Sequence, residues 1–301
     1  MGTQKNASRI VRPLVHPFPY ELSTRKIKGC VLKVADRFLK LIVALVIITE
    51  AAAVSFIWLT PPRTSYMLQE GEPVAYQFVS IDHMSRYVLA ATIAHEDQQL
   101  GTREGAFDLD DFNARAMAFL EGRKDPSGSS IPQQLAKNIY LWPDQNAFRK
   151  ALEAGLAAEF SLTLSPKRIL ELYLNYAQFG PNLYGICAAT WYYFGHAPFE
   201  MTPYEAALLI GVLPFPNRVQ RLKDGGIYLD REIDSLVWKN VKEAANVRVP
   251  QQLEGLGGWE AAVATIGITD QAADHRAKRN NPDACSTMPE GVRVTLASAT
   301  Q

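Results

Sequence analysis

Cysteine is scarce in this 301-residue chain: Cys30, Cys187 and Cys285 are the only three. None stands with another Cys or with His at metal-ligand spacing, so a zinc-built domain is excluded. Cys187 and Cys285 are free to pair in an oxidising compartment. Cys187, however, sits in the apolar run "YGICAATWYYFG" and reads as a buried free thiol. Runs with strand alternation are scarce as well, and there is no internal repeat, which argues against sandwiches, barrels and solenoids. An excess of positive charge is also missing, with 31 Lys and Arg against 31 Asp and Glu. A nucleic-acid binder would carry a basic stripe. What remains is a mainly α chain, long enough for one large domain or two small ones.

The balanced charge hides an asymmetry. Residues 1–60 hold nine Lys and Arg against Glu21, Asp36 and Glu50, a net of +6, which leaves −6 for the rest. All nine basic residues precede "LIVALVIITEAAAVSFIWL", residues 41–59, an apolar run close to the ~20 residues a membrane-spanning helix needs. Basic residues stay cytoplasmic, so the N-terminus is expected inside and the chain beyond about residue 61 outside. Trp58 suits the outer interface. No small-residue cleavage site follows the run, which reads as an uncleaved anchor. Glu50 is its flaw, since an acid at the bilayer centre costs roughly 2.5–3.5 kcal/mol on insertion scales. Either it inserts protonated among Ile, Val and Leu, or it touches a partner membrane helix.

The expected organisation is a cytoplasmic tail (1–37), an anchor (38–60), a connector (61–80), a helical domain (81–217) and a partly helical extension with a loose tail (218–301). Helix signals are dense from 81 to 216. "SRYVLAATIAHED" and "DDFNARAMAFLEG" are candidate helices. "SSIPQQLAKNIYL" offers Ser130 as N-cap with Gln133 at capping-box spacing. "SPKRILELYLNYAQF" starts with Ser165 and Pro166, and "MTPYEAALLIGVLP" has Thr202, Pro203 and Glu205 in the same roles.

Several polar pairs fall on common helix faces. Gln133, Gln134 and Lys137 lie three and four apart, as do Arg149 and Glu153 at four. Two amides and an ammonium suit an anionic, hydroxyl-rich ligand, although alone such a face is ordinary solvated surface. The small-residue loop holding Ser129 and Ser130 feeds a helix N-terminus, a place that can receive phosphate. Arg149 with Glu153 is either a plain ion pair worth a few tenths of a kcal/mol or a phosphate-binding Arg held by an acid. Glu171 and Asn175, four apart in an apolar helix, point to buried and satisfied polar groups, hence to structure. Glu96 and Asp97 close the apolar segment "YVLAATIA".

Together these pieces resemble glycosyltransferase family 51, the peptidoglycan glycosyltransferases. E-D-x-x-F is matched by Glu96-Asp97-Gln98-Gln99-Leu100, and G-G-S-T-I-x-Q-Q-L-x-K-N by "SGSSIPQQLAKN". R-K-x-x-E-A is matched by "RKALEA", and I-L-E-x-Y-L-N with a following F-G by "ILELYLNYAQFG". "MTPYEAALLIGVLPFP" completes the order. The resemblance covers about residues 81–217. It implies a lysozyme-like, two-lobed helical domain behind one N-terminal transmembrane helix. It implies polymerisation of lipid II, with the growing glycan passed from undecaprenyl pyrophosphate to the 4-hydroxyl of an acceptor. Glu96 would be the base and Glu153 the second catalytic glutamate. Lys137, Arg149, Gln133, Gln134, Ser129, Ser130 and Asn138 would hold substrate, and Asp97, Glu171 and Asn175 would support the structure. No cofactor is required by the motifs, and a divalent cation, Mg or Mn, beside Glu153 follows only by analogy. The implied partners are lipid II, the glycan strand, the membrane and cell-wall synthesis or division proteins. The implied location is the inner membrane, single-pass, with the catalytic domain periplasmic.

Some positions depart from the pattern. Leu100 replaces Phe, Arg103 lies where His is usual, Ser127 replaces the first Gly, and Pro166 takes a Lys place with Lys167 one step on. That step rotates the ammonium by about 100°, so Lys167 is left outside the site. The S-x-x-K match at 23–26 lies on the cytoplasmic side and no K-T-G follows, so a penicillin-binding half is absent. Two other readings stay open at this point: a lytic transglycosylase or muramidase, and a non-catalytic anchored scaffold that binds lipid II.

Overall fold

The computed structural model describes residues 21–107, 117, 128–144, 146–270 and 279–298. The expected helix "DDFNARAMAFLEG" falls, apart from Met117, outside the described residues. The first helix, α1 (Glu21–Ser55), runs for 35 residues, and Val31–Ser55 is long and apolar enough to cross a membrane. The chain divides into two units, one ending at Ile48 and the other beginning at Thr49. In the first, the apolar side chains from Val31 to Ile48 are largely exposed, as a lipid-facing helix requires.

The second unit starts inside α1, earlier than the expected connector. Ala53 and Phe56 are buried, and the Phe56 ring packs on Tyr140 and Phe160. Thr49 donates to Glu159 at 3.0 Å, and Thr163 donates to Glu50 at 2.5 Å. Glu50 therefore has a partner within its own chain. Behind it, α2 (Ser65–Leu68) and an extended stretch lead to α3 (Arg86–Glu96).

Helix α3 is buried on every side from Val88 to Ala94, so it forms the axis of the domain. Ser85 caps it. On it pack α8 (Pro203–Ile210) and two helices of the C-terminal extension, while α4 (Ile131–Tyr140) packs on α5 (Ala147–Thr163) and α6 (Pro166–Tyr176), and α6 packs on α7 (Gly185–Tyr193). Their starts follow the sequence signals. Asn146 accepts from Arg149 N at 2.9 Å and Ser165 accepts from Arg168 N at 3.2 Å. Thr202 and Glu205 form a reciprocal box. Each such cap satisfies an otherwise orphan N–H and is worth about 1 kcal/mol. Two short antiparallel ribbons, β1 (Gln178–Gly180) with β2 (Leu183–Tyr184) and β3 (Gln220–Arg221) with β4 (Ile227–Tyr228), close turns at the edge.

The C-terminal extension is built into the domain. It contributes α9 (Ser235–Glu243), α10 (Val249–Gly255), α11 (Trp259–Ala264) and α12 (Glu290–Ser298). Residues 290–298 thus form a helix where a loose tail was expected. Cys187 and Cys285 form a disulfide, which overturns the free-thiol reading: burial of Cys187 in α7 brought it against a second buried cysteine. Arg86, only 1% exposed, donates through Nε to Asp270 at 2.9 Å and through Nη1 to the Ile81 and Met84 carbonyls. Tyr87 packs edge-on against Trp259. Gly101 has no room for a side chain, because a Cβ there would stand 2.3 Å from the Thr265 carbonyl oxygen.

Candidate active site

Glu96 is the last residue of α3 and lies half-buried at its end. Its Oε2 accepts from Gln134 Nε2 at 2.8 Å. Gln134 also donates to the Ser129 carbonyl at 3.0 Å and accepts from the Tyr173 hydroxyl at 3.0 Å. A phenol can only donate to the amide oxygen here, so Tyr173 turns the amide nitrogen toward Glu96. Burial pushes the Glu96 carboxyl above its ordinary range. The Gln134 hydrogen bond and the Lys137 charge work against that shift, and the Asp97 charge adds to it. A carboxyl raised in this way is suited to take up a proton.

One turn beyond Gln134 on α4, Lys137 stands with its Nζ 5.7 Å from the Tyr66 ring centroid. Burial pulls the ammonium pKa below its ordinary value, and Arg149 and Lys150 add to that effect while Glu153 and Glu96 oppose it. Among the described residues no carboxylate comes within 4.0 Å of Lys137. Arg149 and Glu153 face the same space from α5, both buried. Arg149 Nη1 forms an ion pair with Glu153 at 3.6 Å, and its Nε and Nη1 make no hydrogen bond. Lys150 binds Glu153 and also donates to Ser129 Oγ at 3.0 Å. Among the described residues, Lys137, Arg149 and Lys150 stand against the buried carboxylate of Glu153.

The other expected residues take different places. Gln133 is buried and its Oε1 accepts from the Ser130 N–H at 3.0 Å, so its amide closes the start of α4 and is not on the Lys137 face. The Ser130 hydroxyl is taken up by Ala106 O and by Gln133. Asn138 donates to the Tyr176 carbonyl at 3.3 Å and ties α4 to α6. Asp97 accepts both guanidinium arms of Arg103 and the Ile131 N–H. Glu171 accepts from the Ile81 N–H at 2.9 Å and pairs with Arg168. Asn175, wholly buried, bonds both backbone groups of Val79. Lys167 points to Asp82, 3.2 Å away. Tyr173, Lys150 and Arg103 were not singled out for the site from sequence. Lys150 had a signal, standing three residues from Glu153 on one helix face.

Glu153 is already engaged by Lys150 and Arg149, and no group of three or more His, Cys, Asp or Glu converges among the described residues.

The transglycosylase family pattern matches residues 64–238. The chain belongs to the transglycosylase family. Relatives include the biosynthetic peptidoglycan transglycosylase of Marinomonas sp. (strain MWYL1), 39% identical over 205 residues, which are 67% of this chain and 85% of the relative. The one from Pasteurella multocida (strain Pm70) is 36% identical over 67% of this chain and 82% of its own length. That of Shewanella frigidimarina (strain NCIMB 400) is 40% identical over 52% and 69% respectively. The transglycosylase match reaches past the expected 81–217 at both ends, into the connector at 64 and α9 at 238. Residues beyond 238, with Cys285 and Asp270, lie outside it.

Proposed function

We propose that this transglycosylase polymerises lipid II into peptidoglycan glycan strands. The observation that carries the reading is a proton-accepting carboxylate, Glu96, set against a cluster of three cations, Lys137, Arg149 and Lys150. Glu96 takes the proton from the 4-hydroxyl of the acceptor sugar as that oxygen attacks the anomeric carbon of the donor. The bond from that carbon to the pyrophosphate oxygen breaks, and the configuration inverts to a β-1,4 link. A positioned base is worth roughly 10²–10⁴-fold in rate. Charge builds on the departing pyrophosphate, and fixed cations stabilise it more in the transition state than in the ground state. Arg149, with unfilled N–H groups, and Lys137 are the groups to receive it, while Glu153 keeps Arg149 and Lys150 in place.

This division of labour also disfavours cleavage of finished glycan, whose leaving group is a neutral sugar and would not need the cations. The domain is read as lying outside the cytoplasmic membrane. The nine basic residues ahead of the apolar run support that orientation, and so does the Cys187–Cys285 disulfide, which needs an oxidising compartment. Labelled lipid II offered to the purified protein tests the proposal. Long lysozyme-sensitive strands are the expected product. Breakdown of mature peptidoglycan, or binding without product, would replace the reading with a lytic enzyme or a scaffold.

A further inference from the structure

We propose that Arg103 is a positioning residue for glycan transfer, fixing the Asp97 carboxylate as the bracket that joins the end of α3 to the start of α4. The proposal rests on the reading of Glu96 as the base. Asp97 follows Glu96 directly and ends α3, its own N–H still bonded to Ile93 O at 3.1 Å. Its side chain leaves that helix to serve another. Oδ2 accepts from Ile131 N, the first N–H of α4, at 3.1 Å. An anion at that point satisfies an orphan donor and complements the helix dipole.

Arg103 makes the bracket rigid. Its Nη1 and Nη2 reach the two Asp97 oxygens at 2.8 and 2.9 Å, a forked pair in which both side chains are under one-tenth exposed. Its Nε donates to Gly105 O at 3.2 Å. The next residue, Ala106, accepts the Ser130 hydroxyl at 3.1 Å. The loop from 97 to 106 is thereby fastened at both ends to the start of α4. That helix carries Gln134 and Lys137, so one guanidinium sets how the Gln134 amide meets Glu96. A bidentate fork holds direction as well as charge, which a lysine cannot copy.

The pair also acts electrostatically. Among the described residues, the charged and titratable groups around Glu96 are Asp97 beside it, Lys137 from α4 and Tyr173 from α6, with the Gln134 amide as direct partner. Asp97 is the anion among them that strengthens proton binding by Glu96. Arg103 neutralises that anion at contact distance, so its loss raises the proton affinity of the base.

The test is the pH dependence of lipid II polymerisation by the full chain. It compares wild type with Arg103→Ala, Arg103→Lys and the double variant Arg103→Ala/Asp97→Asn, each first shown folded by its thermal transition. In Arg103→Ala the acid limb of kcat/KM should move up by about one pH unit or more, with kcat lowered at least tenfold at neutral pH. In the double variant the limb should return, because the unneutralised anion is gone. Arg103→Lys should keep the limb in place and lose kcat, and it carries the test if the alanine variant does not fold. An acid limb unmoved in folded Arg103→Ala, or Arg103→Lys with wild-type kcat, overturns the proposal. Glu96→Gln separates the two failures. If it polymerises normally, the reading of the base is wrong; if it is inactive while Arg103→Ala behaves as wild type, only the positioning role falls.

Discussion

At the residue scale, two acids, half-buried Glu96 and buried Glu171, are put to opposite uses. Glu96 is held with its proton affinity raised by burial. A carboxyl raised in the folded state favours folding most at low pH, and that contribution is lost as pH rises through the raised value. Glu96→Gln should therefore abolish polymerisation while leaving the protein as stable as wild type or more so at neutral pH, with the gain fading toward pH 4. Paired thermal melts at the two pH values check this. The acid limb of the wild-type rate should likewise lie above the ordinary carboxylate range, since the base must be ionised. Glu171 is the contrast: its oxygens are filled by Ile81 N–H and Arg168. Glu171→Ala strands those donors at roughly 1–3 kcal/mol, so the melting temperature should fall and activity should fall only with the folded fraction. Tyr173→Phe frees the Gln134 amide to turn over. We expect kcat to drop several-fold with substrate binding little changed, read by full kinetics. The i, i+4 spacings made Lys137, Arg149 and Glu153 legible in the sequence. They could not tell Gln133 from Gln134, since neighbours on a helix differ by about 100° and only the cap decides which amide turns inward. Tyr173 and Arg103 were hidden for another reason, because their partners are distant in the chain or lie off any helix period.

At the scale of elements, helices announced themselves through caps, and their packing did not. The Ser165–Pro166 and Thr202–Pro203 starts are local chemistry and appear where the sequence puts them. The extension beyond residue 238 gave no comparable signal of its role, because it is held by long-range packing of α10 and α11 on α3 and by three long-range pairs: Asp270 to Arg86, Trp259 to Tyr87, Cys285 to Cys187. All three act on α3 or on α7 behind it. The disulfide spans 98 residues, and opening a loop of that size costs about 2–5 kcal/mol. Cys285→Ser should lower the melting temperature, and wild type in a thiol reductant should melt like the variant. A melt indifferent to reductant would remove the bridge from the fold's support. Asp270→Ala leaves a buried guanidinium short of its counter-ion. Such a loss costs about 3–5 kcal/mol when both partners are buried; Asp270 is partly exposed, so the low end is expected in chemical denaturation.

At the scale of the whole chain, the anchor and the catalytic domain share one helix, and the boundary between them decides how the protein tolerates truncation. Removing residues 1–48 takes away the exposed apolar stretch and leaves Thr49 to Phe56 on α5. Removing residues 1–60 also strips Phe56 from Tyr140 and Phe160, and Glu50 from Thr163. It further deprives Arg168 of the Phe56 and Leu59 carbonyls and the Thr60 hydroxyl. Losing a buried Phe alone costs about 3–5 kcal/mol. The shorter deletion should therefore melt close to the full protein, and the longer one clearly lower. Activity should separate along a different line. The anchor confines enzyme and lipid-linked substrate to one surface, which raises their effective concentration without any new contact. The variant lacking 1–48 should thus be fully folded yet polymerise bilayer-embedded lipid II poorly at low substrate, and recover as substrate is raised or when both are mixed in detergent. If the two deletions melt alike, the last turns of α1 add nothing to the domain. If the shorter one matches the full chain on dilute bilayer substrate, the membrane helix does not act by confinement, and its contribution lies in the turns that remain docked on α5.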